Sequence, residues 1–151
     1  MSEQELFIKA NTTLATVIAQ TKPEQMDLKI PDEMSYQPGQ TVRSGMNIFA
    51  YENACVSDVL LGKEKQETNG EFKGDLLGDD PQGNYKKYSD AANKAAAELD
   101  DPNRIVHISY GDFPAKDYLR DITIQRGLGA YDVAKFIGVD TNLPDELVKG
   151  L

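Results

Sequence analysis

The chain has 151 residues and a formal net charge of −9, from 16 Lys and Arg against 25 Asp and Glu. This length can bury about two thirds of the unfolded surface, so we expect one globular domain over residues 1–151. A single cysteine excludes a disulfide-bonded scaffold. Because an acidic protein repels phosphate groups, neither nucleic acid nor an anionic membrane is expected as its main partner. No apolar run is long enough to span a membrane and the first residues lack the basic region of a signal peptide, so we expect a cytoplasmic protein.

The first predicted helix covers residues 3–21. Ser2 followed by Glu5 forms a capping-box pattern, apolar residues then recur at helical spacing, and Pro23 ends the run. Residues 22–40 contain prolines and scattered apolar side chains, which predicts a long packed connection.

The second predicted helix begins after Thr41 and extends to about Gly62. Threonine is a favoured N-terminal cap, and glycine often lies just past the C-terminal end of a helix. Glu52 is the one acid on an otherwise apolar stripe, so we place it at the edge of the interior. The neighbouring face is apolar and consists of Val42, Met46, Phe49, Val56 and Leu60.

The remaining helices are predicted over residues 83–99, 115–137 and 144–151. A charged loop over 63–83 separates the second helix from the third, and an apolar, β-leaning connection over 104–114 precedes the fourth. Long connections allow neighbouring helices to run parallel. We therefore predict an all-α fold, a four-helix bundle with long crossover connections and a short C-terminal helix.

The fourth predicted helix carries polar residues on the stripe that should face inward. Spacings of three and four residues predict an inner stripe that consists of Leu119, Ile122, either Gln125 or Arg126, Gly129, Val133 and Phe136. Gly127 and Gly129 each cost about 1 kcal/mol relative to alanine, so something must compensate. One interpretation is tight helix packing at the glycines, with Arg126 extending to solvent. The other is a cavity at Gly129 in which Gln125 and Arg126 bind a polar or anionic ligand.

A second apolar stripe on the same helix consists of Ile124, Leu128 and Tyr131. A helix that is apolar on two sides is central in a core or buried in an interface. We expect this stripe to pack against a second copy of the chain in a homodimer. In the competing interpretation it packs against the first connection of the same chain, at Met26, Leu28 and Ile30.

No self-sufficient catalytic motif is evident. His107 is the only histidine, and its apolar neighbours indicate a structural imidazole. Cys55 lies on an apolar helical stripe and is interpreted as a core residue. No Cys–His relay, phosphate loop or dinucleotide fingerprint is indicated.

Five stretches of the sequence are similar to one family. They are VHISYGDFP at 106–114, YDVAKFIG at 131–138, LPDEL at 143–147, KPEQMD at 22–27 and YENA at 51–54. Together they resemble the mycothiol-dependent maleylpyruvate isomerase-like branch of the DinB/YfiT superfamily. The resemblance implies a four-helix bundle with a long crossover.

Members of that superfamily typically hold a divalent metal, often zinc or nickel. One ligand is a His of the second helix, and two more lie four residues apart on the last long helix. The resemblance places these positions at Ile48, Gln125 and Gly129. Isoleucine and glycine side chains have no lone pair and an amide is a poor ligand, so we expect a chain without cofactor whose metal has been lost. Only one combination of other residues suggests a replacement site: His107, Glu52 and Asp132.

The sequence thus predicts a cytoplasmic DinB-like bundle that binds a small molecule or acts as a homodimer. The alternative is a divergent thiol-dependent transferase or isomerase, in which Arg126 replaces the metal by stabilising the thiolate of a low-molecular-weight thiol cofactor. Glu52 or His107 would then carry the proton. The candidate pocket comprises Ile48, Glu52, His107, Gln125, Arg126, Gly129 and Asp132.

Overall fold

The structure of the chain, a computed structural model, describes residues 1–34, 38–64, 74–141 and 143–150. It is mostly helical and contains a small two-stranded sheet. Within these ranges, every helix is too short or too polar to serve as a membrane span. Single-turn 3₁₀ helices lie in the first connection at Pro23–Gln25 and Asp32–Met34. The other elements are α1 (Glu3–Ile18), α2 (Val42–Leu60), α3 (Pro81–Ala97), β1 (Ile105–Ile108), β2 (Gly111–Pro114), α4 (Ala115–Ile137) and α5 (Asp145–Gly150).

The helix bounds agree with the predicted ones to within three residues. α4 has the predicted bounds because Pro114 precedes it and Gly138 ends it with a φ of 80°. α1 ends at Ile18 instead of residue 21. Of the predicted loop over 63–83, residues 65–73 lie outside the described residues, and so does Leu151 of the last predicted helix.

α3 begins two residues before its predicted start. The Asp80 side chain accepts a hydrogen bond from the Gly83 backbone N–H and so caps the helix. Pro81 follows at the first helical position, where its missing N–H costs no intrahelical bond. Asp80 and Pro81 fall within the loop predicted over residues 63–83, and they form a helix start instead.

The structure is mostly helical, as predicted, but the all-α class needs one correction because a short β-hairpin is present. The β-leaning connection contains an antiparallel hairpin, in which Ile105 lies opposite Pro114 and Ile108 opposite Gly111. Gly111 has a φ of 137°, which side-chain-bearing residues rarely adopt. Strands of four residues carry little periodicity, so composition alone does not distinguish them from an extended connection.

The hydrogen bonds between helices define their directions. α1 packs against α3 and α4, and α2 packs against α3. Glu3 bonds to Arg120 and Asn11 to Arg126, so α1 and α4 run parallel. Parallel neighbours, as predicted from the long connections, are therefore confirmed. The backbones of α2 and α4 are not in comparably extensive contact, which leaves a seam between them.

Two apolar clusters fill the interior, one around each end of α1. The first contains residues near the start of α1 and the end of α2, among them Phe7, Val56, Leu60, Ala96 and Leu119. The second contains residues near the end of α1 and the start of α2, among them Leu14, Val17, Met46, Tyr85 and Ala130. Polar side chains described below lie between them.

Glutamines at the starts of α1 and α3 bond to the ends of each other's helix. Gln4 Nε2 donates to the carbonyls of Ala96 and Leu99, both at 2.9 Å. Gln82 Nε2 donates to the carbonyls of Ile18 at 3.0 Å and Thr21 at 3.1 Å. The Ile18 carbonyl also accepts from the Thr21 N–H and the Ala96 carbonyl from the Leu99 N–H. Each glutamine therefore adds a side-chain donor at a helix end, where the intrahelical hydrogen bonds are incomplete.

We expect Gln82→Leu to lower the free energy of unfolding by about 1–2 kcal/mol, because the Thr21 carbonyl loses its donor and the Ile18 carbonyl keeps only the bond from the Thr21 N–H. Urea denaturation measures the effect. Gln20→Leu is the matched control, since the Gln20 side chain donates to the Thr16 carbonyl at an exposed site. It should change stability by less than about 0.5 kcal/mol. Equal effects of the two substitutions would contradict a capping role for Gln82.

Candidate functional site

A cavity of about 360 Å³ lies along the seam between α2 and α4. Ile18 of α1 and three residues of the first connection, Ile30, Glu33 and Gln40, complete its wall. The volume is within the range of small-molecule sites in proteins. The residues that line it from the two helices are Val42, Gly45, Met46 and Phe49 of α2 and Gln125, Leu128, Gly129, Asp132, Val133 and Phe136 of α4.

A glycine on each of these helices allows close packing at the cavity. A Cβ on Gly129 would lie 2.7 Å from Phe49 Cζ, closer than two carbon atoms approach without a shift. A Cβ on Gly45 would lie 3.1 Å from Gln40 Nε2 and 3.4 Å from Ile30 Cδ1. The Phe49 ring therefore packs directly on the α4 backbone, and this contact provides the compensation that a mid-helix glycine needs.

The cavity has an apolar interior and an acidic margin. Glu33 and Asp132 are exposed, and Gln125 is half-buried. The Gln125 amide makes no hydrogen bond to another described residue, so it is available to a ligand. The lining residues identified within the described ranges include no Lys or Arg. The buried apolar side chains of the interior are Ile18, Val42, Met46 and Phe49.

Arg126 does not line this cavity. It is 0% exposed, and it belongs to a buried polar layer formed by Asn11, Asn53, Ser89 and Arg126, one residue from each long helix. Its Nε donates to Asn11 Oδ1 at 3.2 Å and its Nη2 to Asn53 Oδ1 at 3.1 Å. Asn11 Nδ2 in turn donates to Ser89 Oγ at 3.3 Å. The interpretation of an Arg126 side chain extending to solvent is therefore wrong.

Glu52 balances the buried charge of Arg126. Arg126 Nη1 donates to Glu52 Oε2 at 2.8 Å, and the Glu52 side chain is 31% exposed, at the edge of the interior as predicted. Arg126 Cζ lies 5.4 Å from the Phe49 ring centroid, so the ring that lines the cavity also packs against the guanidinium. Burial raises the pKa of Tyr85, so its phenol stays neutral beside this ion pair.

His107 lies on the hairpin, away from the cavity lining. Its Nδ1 is 2.9 Å from Oδ1 of Asp112, which is its partner across the strand pair, and its Nε2 is 3.7 Å from Glu64 Oε1. The Tyr110 hydroxyl in the hairpin turn donates to Asp121, and partial burial beside this carboxylate raises the pKa of Tyr110 to about 12. These contacts fix the hairpin and are consistent with the structural imidazole expected from the sequence.

The predicted pocket residues divide into two groups. Three line the cavity: Gln125, Gly129 and Asp132. Four do not: Ile48, Glu52, His107 and Arg126. The placement of Ile48 opposite Gly129 is corrected by one residue, because the helical phase of α2 directs Phe49 towards Gly129.

Three residues at these sites were not predicted from the sequence: Glu33, Gln40 and Asn11. Glu33 and Gln40 lie in the non-periodic first connection, where no pattern predicts which side chains face inward. Asn11 falls between Phe7 and Leu14 on the apolar stripe of α1. A polar residue on an apolar stripe indicates a buried hydrogen-bonded group, and this signal could have identified Asn11.

Within the described part of the chain, no group of three or more His, Cys, Asp or Glu side chains is arranged to hold a metal ion. The suggested replacement site of His107, Glu52 and Asp132 is therefore not assembled. No family model, curated protein or solved structure matches the chain.

Proposed function

We propose that the chain binds a small molecule in the cavity between α2 and α4. The cavity itself is the observation that supports this function, because a cleft of this volume with a mostly apolar lining and a few polar groups is typical of small-molecule sites. Its buried apolar wall would enclose the body of a ligand, and the free amide of Gln125 would orient it by hydrogen bonding.

We further propose that the fold is a metal-free, DinB-like four-helix bundle. Four long helices with parallel neighbours support this assignment. Gln125 and Gly129, two of the three ligand positions that the resemblance implies, line the cavity together. The α2 residue that faces them is Phe49, which has no lone pair for a metal. Elemental analysis of protein purified without chelator tests the assignment, and about one zinc or nickel per chain would refute it.

The thiol-dependent transferase receives no support from the described residues. That mechanism requires Arg126 to face a bound thiol, whereas its donors bond to Asn11, Glu52 and Asn53. Neither Glu52 nor His107, the candidate proton carriers, lines the cavity. The geometry therefore favours binding over this chemistry.

An uncharged apolar probe tests the proposed binding. We expect cyclohexylmethanol to bind the parent protein, detected by NMR chemical-shift changes, and Val133→Trp to weaken binding about tenfold or more because the indole fills the cavity. Leu61→Trp is the matched control, since Leu61 is 63% exposed and lies outside the lining. Equal affinities of the two tryptophan variants would refute binding in this cavity.

A homodimer is a second proposal, favoured by the exposure of the second stripe on α4. Ile124, Leu128 and Tyr131 are 38%, 57% and 49% exposed, so the described residues of the first connection do not cover them as the competing interpretation requires. We expect light scattering at micromolar concentration to give a dimer mass for the parent and a monomer mass for Ile124→Glu. A monomer mass for the parent would contradict the dimer.

A further inference from the structure

We infer that the ligand of this cavity is a small organic cation, an ammonium group carried on an apolar ring or short hydrocarbon chain. The inference rests on the proposed small-molecule binding and specifies the charge of the ligand. The charge of the ligand is inferred from the charged side chains that line the cavity.

The charged side chains that line the cavity are both acidic. Glu33 comes from the first connection and Asp132 from α4, so two separate elements bring carboxylates to the same cavity. Neither carboxylate takes part in an ion pair with another described residue. Two carboxylates without a cationic partner attract a positive ligand, and the net charge of −9 adds to that field.

Arg126 does not offset this charge. Arg126 lies behind Phe49, bonds to Glu52 and is fully buried. An anionic ligand, one of the options expected from the sequence, would therefore meet two carboxylates and no Lys or Arg among the described lining residues. Repulsion between like charges disfavours the binding of such an anion.

The uncharged lining also suits an ammonium group. Phe49 and Phe136 both line the cavity. Because Arg126 packs against the Phe49 ring, Phe136 is the ring that would attract an ammonium group. The Gln125 carbonyl oxygen can accept a hydrogen bond from an ammonium N–H. The apolar wall of the interior accommodates the hydrocarbon part of the same molecule.

Three cyclohexane probes of nearly equal shape test the inference: cyclohexylmethylamine, cyclohexylmethanol and cyclohexanecarboxylate. At neutral pH and low salt, titration calorimetry should show the amine binding about tenfold more tightly than the alcohol, as expected for two partly solvated carboxylates. The carboxylate should bind more weakly than the alcohol. The preference for the amine should decrease as salt is added, because the carboxylates lie at the solvent-exposed margin.

A pair of matched double variants tests the source of the preference. Glu33→Gln with Asp132→Asn should bring the affinities for amine and alcohol within about twofold, and leave the affinity for the alcohol nearly unchanged. Glu24→Gln with Asp140→Asn removes the same net charge from exposed residues outside the cavity lining. This control should retain most of the amine preference.

The outcomes separate the two levels of the proposal. If the alcohol binds and the amine binds no more tightly, the cation inference is overturned and small-molecule binding stands. If none of the three probes binds, the proposed function and the inference both fail. If both double variants retain the amine preference equally, the two carboxylates are not its source and the inference is overturned.

Discussion

Replacing Arg126 by methionine is expected to lower the free energy of unfolding by about 3–5 kcal/mol. The substitution leaves the carbonyl oxygens of Asn11 and Asn53 without their donor, and both asparagines are buried. Each buried acceptor without a partner costs about 1–3 kcal/mol. Glu52 is less affected, because its partial exposure allows water to solvate the carboxylate. Urea denaturation monitored by circular dichroism measures the change.

Arg120→Met on the same helix is the matched control. Arg120 is 60% exposed and pairs with Glu3 at 3.2 Å and Asp117 at 3.8 Å. Exposed pairs of this kind contribute about 0–1 kcal/mol, so the control should unfold close to the parent. The free energy of unfolding of Arg126→Lys should fall between those of the two methionine variants. Lysine retains the positive charge but cannot donate to Asn11, Glu52 and Asn53 with the geometry of the guanidinium group. A loss below about 1 kcal/mol for Arg126→Met would show that the buried polar layer does not stabilise the fold.

The helices could be predicted from the sequence wherever local residues determine their ends. α4 begins after Pro114 and ends at Gly138, and both residues act within one turn of the backbone. α1 ends three residues before the predicted position. There the carbonyls of Ile18 and Thr21 accept hydrogen bonds from Gln82, a residue of another helix. A tertiary contact of this kind leaves no local pattern.

The residues of the inward stripe predicted on α4 lie in two different environments, a packed apolar cluster and the cavity. Leu119 and Ile122 belong to the first apolar cluster, whereas Gln125, Gly129 and neighbouring residues line the cavity. Periodicity predicts that a residue faces inward, but it does not distinguish a filled interior from a cavity. For the same reason, periodicity could not decide which of the Gln125 and Arg126 side chains is buried. They differ by one helical position, and only the partners on α1 and α2 show that Arg126 is the buried one.

Gly129→Ala is expected to destabilise the protein by about 1 kcal/mol or more, although alanine favours a helix by about that amount over glycine. The new Cβ would lie 2.7 Å from Phe49 Cζ, so the ring must move. Such overpacking costs about 1–3 kcal/mol, and the Phe49 ring is also held against Arg126. In a Phe49→Leu background the Cζ atom is absent, and the same glycine substitution should instead stabilise the protein by about 1 kcal/mol. Urea denaturation of the four proteins gives the coupling energy between positions 49 and 129.

Phe7→Leu provides the control background for this double-mutant cycle. Phe7 is a buried phenylalanine of the first apolar cluster, whereas Phe49 belongs to the second. Gly129→Ala should therefore have the same effect in the Phe7→Leu background as in the parent, because residues without shared contacts contribute additively. The coupling with Phe49→Leu should reach about 1–3 kcal/mol and change the sign of the effect. Equal effects of Gly129→Ala in all three backgrounds would contradict this account, because they would show that the Phe49 ring does not determine the cost of a side chain at position 129.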